Sequence, residues 1–133
     1  MSSETHVFIQ HDADVLAARK TARALGAQLG FSSSDLALIA TAISEIARNI
    51  LVYATRGEMT FASVFEPHRK GIVVVAKDSG PGIADLEQAM QDGFSSGNGL
   101  GLGLPGARRL MDDFAIDTAA GRGTTITMTK WTR

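Results

Sequence analysis

Leu36-Ala37-Leu38-Ile39-Ala40-Thr41-Ala42-Ile43-Ser44-Glu45-Ile46-Ala47-Arg48-Asn49-Ile50 is the strongest periodic stretch of this chain. Leu36, Ile39, Ala40, Ile43, Ile46, Ala47 and Ile50 recur at helical spacing and trace one apolar stripe. Ser32-Ser33-Ser34-Asp35, just ahead, offers side-chain oxygens to the unpaired N–H groups of a first turn. The stretch therefore reads as an amphipathic helix. Glu45 and Asn49 lie four apart and project from one face, while the isoleucines face mostly elsewhere. Such a pair is by itself an ordinary solvated face, yet an asparagine inside a helix is not favoured by propensity and needs a reason. One reason is chemical. An asparagine carbonyl suits Mg²⁺, which prefers oxygen ligands, and a glutamate one turn away can order a water or take a proton from a hydroxyl.

Upstream, His6 to Gln10 reads as a short strand, with Asp12 or Asp14 capping a first helix. Val15, Ala18, Ala22, Leu25 and Leu29 are its inward stripe, and Gly30 is its stop. Downstream, Glu58 to Glu66 and the β-branched run Ile72 to Ala76 form a hairpin across the turn 67–71. The second of these is expected to be a central buried strand. A short helical segment is expected from Asp85 to about Gln91. Pro105 suits the first turn of a further helix that buries Leu104, Ala107, Leu110, Met111 and Phe114. A second hairpin, Phe114 to Thr118 and Thr125 to Trp131, closes around Gly121-Arg122-Gly123. This order predicts an α+β fold, a two-layer α/β sandwich with helices on one face of a mixed sheet.

The 133 residues predict one domain over 1–133, with 44% hydrophobic and 20% charged residues as in folded proteins. Without a cysteine there is no disulfide, thiolate metal site or cysteine nucleophile. A net charge of −1 and no basic stripe argue against nucleic acid. The start, Met1 to Gln10, does not resemble a signal peptide. No apolar run is expected to approach the ~20 residues of a membrane span, so the expected location is the cytoplasm.

Two glycine-rich stretches extend the chemical reading. In Asp78-Ser79-Gly80-Pro81-Gly82 an aspartate ends the buried strand, and its carboxylate can accept from an exocyclic amine such as that of adenine. Gly80 and Gly82 would let a flat ring approach the backbone. Gly97, Gly99, Gly101, Gly103 and Gly106 lead into a helix, an arrangement that cradles phosphate. Leu100, Leu102 and Leu104 mark a loop that folds over something. No Gly-Lys-Ser/Thr follows, so this is no Walker loop. Gly121-Arg122-Gly123-Thr124-Thr125 is a hairpin turn whose Thr124 or Thr125 could support the Asp78 carboxylate or a water near the base.

Glu45-Ile46-Ala47-Arg48-Asn49, Asp78 to Gly82, Gly97 to Gly103 and Gly121 to Thr124, in this order, resemble the N, G1, G2 and G3 boxes of the GHKL ATPase/kinase superfamily. The resemblance implies the Bergerat sandwich and the use of ATP with Mg²⁺. It assigns Glu45 to the base, Asn49 to Mg²⁺ and Asp78 to adenine. Gly80, Gly82 and Thr124 fall around the base, and Gly97, Gly99, Gly101, Leu102 and Gly103 on a phosphate lid. The lid departs from the family wording at Asn98 and Leu102.

Ile43 to Ile50, Asp92 to Ser95, Leu104 to Gly106, Arg108 to Phe114 and Thr129 to Arg133 are most similar to the RsbT-type switch kinases of stressosomes. That implies a protein serine/threonine kinase acting on STAS-domain scaffold proteins. Once released, it would activate a PP2C-type phosphatase. The alternative is an anti-sigma factor kinase that binds a sigma factor and phosphorylates an anti-anti-sigma STAS protein. His6, His11 and His68 lie in no phospho-acceptor context and read as surface residues. Partner contact is expected on the first helix around Leu16 and Ala17 and at Leu110-Met111-Asp112-Asp113.

Overall fold

The computed structural model describes residues 4–82 and 103–132. Its elements are β1 Thr5–Ile9, α1 Asp12–Leu29, α2 Ser33–Tyr53, β2 Gly57–Glu66 and β3 Arg69–Asp78, then α3 Gly103–Leu110, β4 Asp113–Ala119 and β5 Gly123–Trp131. The expected segment Asp85–Gln91 and the lid residues Gly97, Gly99, Gly101 and Leu102 lie outside the described residues.

The helix caps follow from local chemistry. Ser32 Oγ accepts from the Asp35 N–H at 3.1 Å and starts α2. At α1 the cap position is His11, not Asp12 or Asp14. Asp14 reaches back, and its Oδ2 accepts from the N–H groups of Gln10 and His11, each at 2.9 Å. These two bonds, Gln10 first, hold the Asp14 carboxyl below the ordinary carboxylate range.

The strands form one sheet in the order β1-β2-β3-β5-β4, and every neighbouring pair is antiparallel. The expected mixed sheet is thus corrected. The connection through α3 does leave β4 pointing the same way as β3. However, β5 lies between them, so the parallel relation is never between neighbours.

The two layers are as expected. Met59, Phe61, Ile72, Val74, Ala76, Ile126 and Met128 are among the residues buried on the inner sheet face. Across from them, Ile39, Ile43, Ile46 and Ile50 of α2 are buried, each worth about 1.5–3 kcal/mol relative to exposure. α1 and α3 both pack on α2. Where α1 meets α2, a Cβ on Gly26 would lie 2.6 Å from Leu36 Cδ2, so a glycine sets the close approach.

α2 spans 21 residues, and its most apolar window has a mean hydropathy of 1.5. By length and composition it could cross a membrane, which amends the reading of the sequence. Half of that window is buried inside the fold, so the need for a core accounts for its apolarity.

Candidate nucleotide-binding site

Where the end of β3 meets the last turns of α2, an open cleft remains. Its apolar wall is Ile46, Ile50, Ala76 and Ile126, and its polar groups include Asn49, Asp78 and Thr124. Three elements thus deliver side chains that lie 75 residues apart in sequence, from Asn49 to Thr124. Asn49 and the two isoleucines come from α2. Asp78 ends β3, and Thr124 pairs with it in the register of β5.

Asp78 is held in place by its own turn. Its Oδ1 accepts from the Gly80 N–H at 2.9 Å, which fixes the carboxylate by a local bond of the kind aspartate makes in turns. The glycines here answer a packing need. A Cβ at Gly80 would lie 2.6 Å from Ala54 Cβ, so its bareness lets the end of α2 pack against the loop. Gly82 has φ 76, and a Cβ there would lie 2.0 Å from the Ala119 carbonyl oxygen. At both positions protein lies where a side chain would project, and Gly82 also lines the cleft.

The Thr124 hydroxyl shares a 2.8 Å hydrogen bond with that of Thr118 on the neighbouring strand. Thr118 in turn donates to the Gly123 carbonyl at 3.1 Å. Glu45 lies one turn before Asn49 on α2, outside the cleft lining. Its side chain is only 7% exposed, and its Oε2 lies 3.7 Å from Nη1 of Arg48. Gly103 opens α3 with φ 51.

The motifs did not mark Tyr53. It lines the cleft and is 45% exposed. Its position was readable, because Tyr53 follows Asn49 by four residues and so continues the face of Glu45 and Asn49. Among the described residues no cluster of three His, Cys, Asp or Glu side chains could hold a metal. Asn49 in the cleft offers a carbonyl oxygen of the kind Mg²⁺ takes, an ion that usually completes its shell with waters and substrate phosphates.

Residues 9–130 match the model of the histidine kinase-like ATPase domain. The chain belongs to that family. Over its full length and that of its relative, it is 46% identical to the serine/threonine-protein kinase RsbT of Bacillus subtilis (strain 168). It is also 32% identical over 120 residues to the anti-sigma F factor of the same strain, covering 85% of this chain and 81% of that one. The fold is similar to a crystal structure of the RsbU and RsbW domains of a Mycobacterium tuberculosis protein, with a TM-score of 0.63 at 24% identity. That match covers 98% of this chain but spans only 31% of the longer one, and it speaks for the fold alone. Within the histidine kinase-like ATPase family, this member is a serine/threonine protein kinase of the partner-switching type and an ATP user.

Proposed function

We propose that this kinase transfers the γ-phosphate of Mg-ATP to a serine or threonine of a STAS-domain scaffold protein. Once released, it binds and activates a PP2C-type phosphatase, working in the cytoplasm as a single ATP-binding domain over 1–133. The observation that carries the reading is the convergence of Asn49, Asp78 and Thr124 on one apolar-walled cleft, with a buried Glu45 one turn away. Ile46, Ile50, Ala76 and Ile126 offer a dry wall to a flat base. The Asp78 carboxylate accepts from the exocyclic amine of adenine, and Tyr53 lines the same cleft. Asn49 holds Mg²⁺ through its carbonyl oxygen, and the ion's chemistry is to neutralise phosphate charge. The lid role stays with Gly97, Gly99, Gly101, Leu102 and Gly103.

Glu45 takes the proton as the substrate oxygen bonds to the γ-phosphorus. The bond from that phosphorus to the bridging oxygen breaks, and its electron pair leaves with ADP. No net charge needs to be stored on the protein beyond the proton, which suits a single carboxylate.

The partner face expected at Leu16 is supported by its 51% exposure. In the other expected patch Asp112 and Asp113 are exposed, and both also use Oδ2 to hold Trp131.

Labelled ATP, Mg²⁺ and a STAS-domain protein from the same genome test the reading. Label is expected on a serine or threonine of that protein, followed by loss of its complex with the kinase. Stable capture of a sigma factor, with release when the STAS protein is added, would favour the alternative. Identity to the anti-sigma F factors is the observation behind that second reading. No transfer to any STAS protein, together with no ATP binding, would refute both.

A further inference from the structure

We propose that Arg48 is a positioning residue for phosphotransfer, holding the Glu45 carboxylate aimed at the substrate hydroxyl. The proposal rests on the reading of Glu45 as the base. A carboxylate removed from water is strongly disfavoured unless a charge or hydrogen bonds compensate it. The Glu45 side chain is 7% exposed, and the partner given to it among the described residues is Arg48. The two are three apart on α2, so the helix itself sets their spacing. An exposed pair of this kind would carry little weight. Here one member is buried and the other, 53% exposed, reaches it from the solvent side.

The geometry suits orientation rather than sequestration. At 3.7 Å the contact is an ion pair longer than a hydrogen bond, made by one nitrogen to one oxygen. A guanidinium has no acceptor and keeps its protons. Arg48 therefore cannot receive the hydroxyl proton and cannot replace Glu45. It can only hold the carboxylate in one rotamer. Asn49, the neighbouring residue, points into the cleft, so the same helical turn carries a ligand for the phosphate side and the support for the base.

The test uses the full chain with Mg-ATP and the STAS-domain protein as phosphoacceptor. Arg48→Gln is expected to lower kcat by about 10- to 100-fold, the loss expected when a reacting group is misplaced. KM for ATP is expected to stay unchanged. Arg48→Lys, which keeps the charge, should recover part of that loss. In a Glu45→Gln background, Arg48→Gln should have no further effect, because the group it positions is gone. Wild-type kcat in Arg48→Gln would overturn the proposal. So would a full additional loss in the Glu45→Gln background, or no recovery with lysine. If Glu45→Gln alone keeps wild-type turnover, the base reading itself fails, and this is a separate result from failure of the Arg48 proposal.

Discussion

β3 and β5 lie side by side along their length, and their two ends are finished in opposite ways. At the Gly71–Trp131 end, large and polar side chains close every gap. Trp131 is 8% exposed, with its Nε1–H donated to Asp113 at 3.0 Å and its backbone N–H to Asp112 at 2.7 Å. The Arg69 guanidinium lies 3.7 Å from its ring centroid, and the Arg69 Nε–H is donated to Glu66 at 2.8 Å. Lys130 Nζ donates to the Leu110 carbonyl, and Thr132 donates twice to that of Lys70. At the Asp78–Thr124 end the residues are small, and a cleft is left. The contrast teaches that one strand pair can serve both purposes. The locked end supplies rigidity, and the open end can then leave a space without collapsing into it.

The largest way to break this contrast is Trp131→Ala. It should cost about 3–5 kcal/mol of stability in denaturant unfolding, as truncation of a buried tryptophan does. ATP affinity of the folded protein, measured in the cold, should stay within about twofold, since distant sites are nearly independent. A parallel loss of affinity would mean that the two ends are coupled.

Asp78→Asn should do the reverse. It should weaken ATP binding by about 1.5–3 kcal/mol, the worth of a charge-assisted hydrogen bond, with little change in stability. The amide oxygen can still accept from Gly80, so the turn should survive. Unchanged affinity by calorimetry would remove Asp78 from the adenine site.

A smaller effect lies at Thr55, between α2 and β2 on the open end. It has φ 74, a left-handed conformation that a β-branched residue adopts at a cost. Thr55→Gly should raise stability by about 1 kcal/mol. A fall instead would assign the threonine side chain a contact that outweighs its strain.

The smallest concerns Asp14, at the corner of β1 and α1. Its folded pKa is lowered, so its contribution is present above the ordinary carboxylate range and lost as pH falls through the folded value. Asp14→Asn should lower Tm at neutral pH, and the difference from wild type should vanish as pH falls through the lowered folded pKa. A difference that persists unchanged in acid would separate the cap from the carboxylate charge.

Much of the fold was legible because periodicity and capping are local. The stripe from Leu36 to Ile50, the run Ile72 to Ala76 and the cap at Ser32 each carry their own signal within a few residues. The site was legible as an ordered set of motifs, and Asn49, Asp78, Gly82 and Thr124 do meet in one cleft. Other features depend on partners distant in sequence. A strand–helix–strand order does not state which strand will be inserted between two others, so β5 between β3 and β4 could not be read. Nothing around Gly80 announces that Ala54 will sit against it.

The sequence by itself determined the amphipathic helix that carries Glu45 and Asn49, the strand that ends in Asp78, and the chemical types available to the site. These rest on spacing along one helix or strand, which the backbone geometry converts directly into a shared face. Only the tertiary structure decided how exposed each group is and what it meets. Glu45 is buried against Arg48 while Asn49 lies in the open cleft, although they stand one turn apart on the same helix. The physical reason is that burial is set by what packs on a helix from elsewhere in the chain. Here α1, α3 and the sheet cover α2 from different sides, and no residue of α2 specifies where those coverings stop.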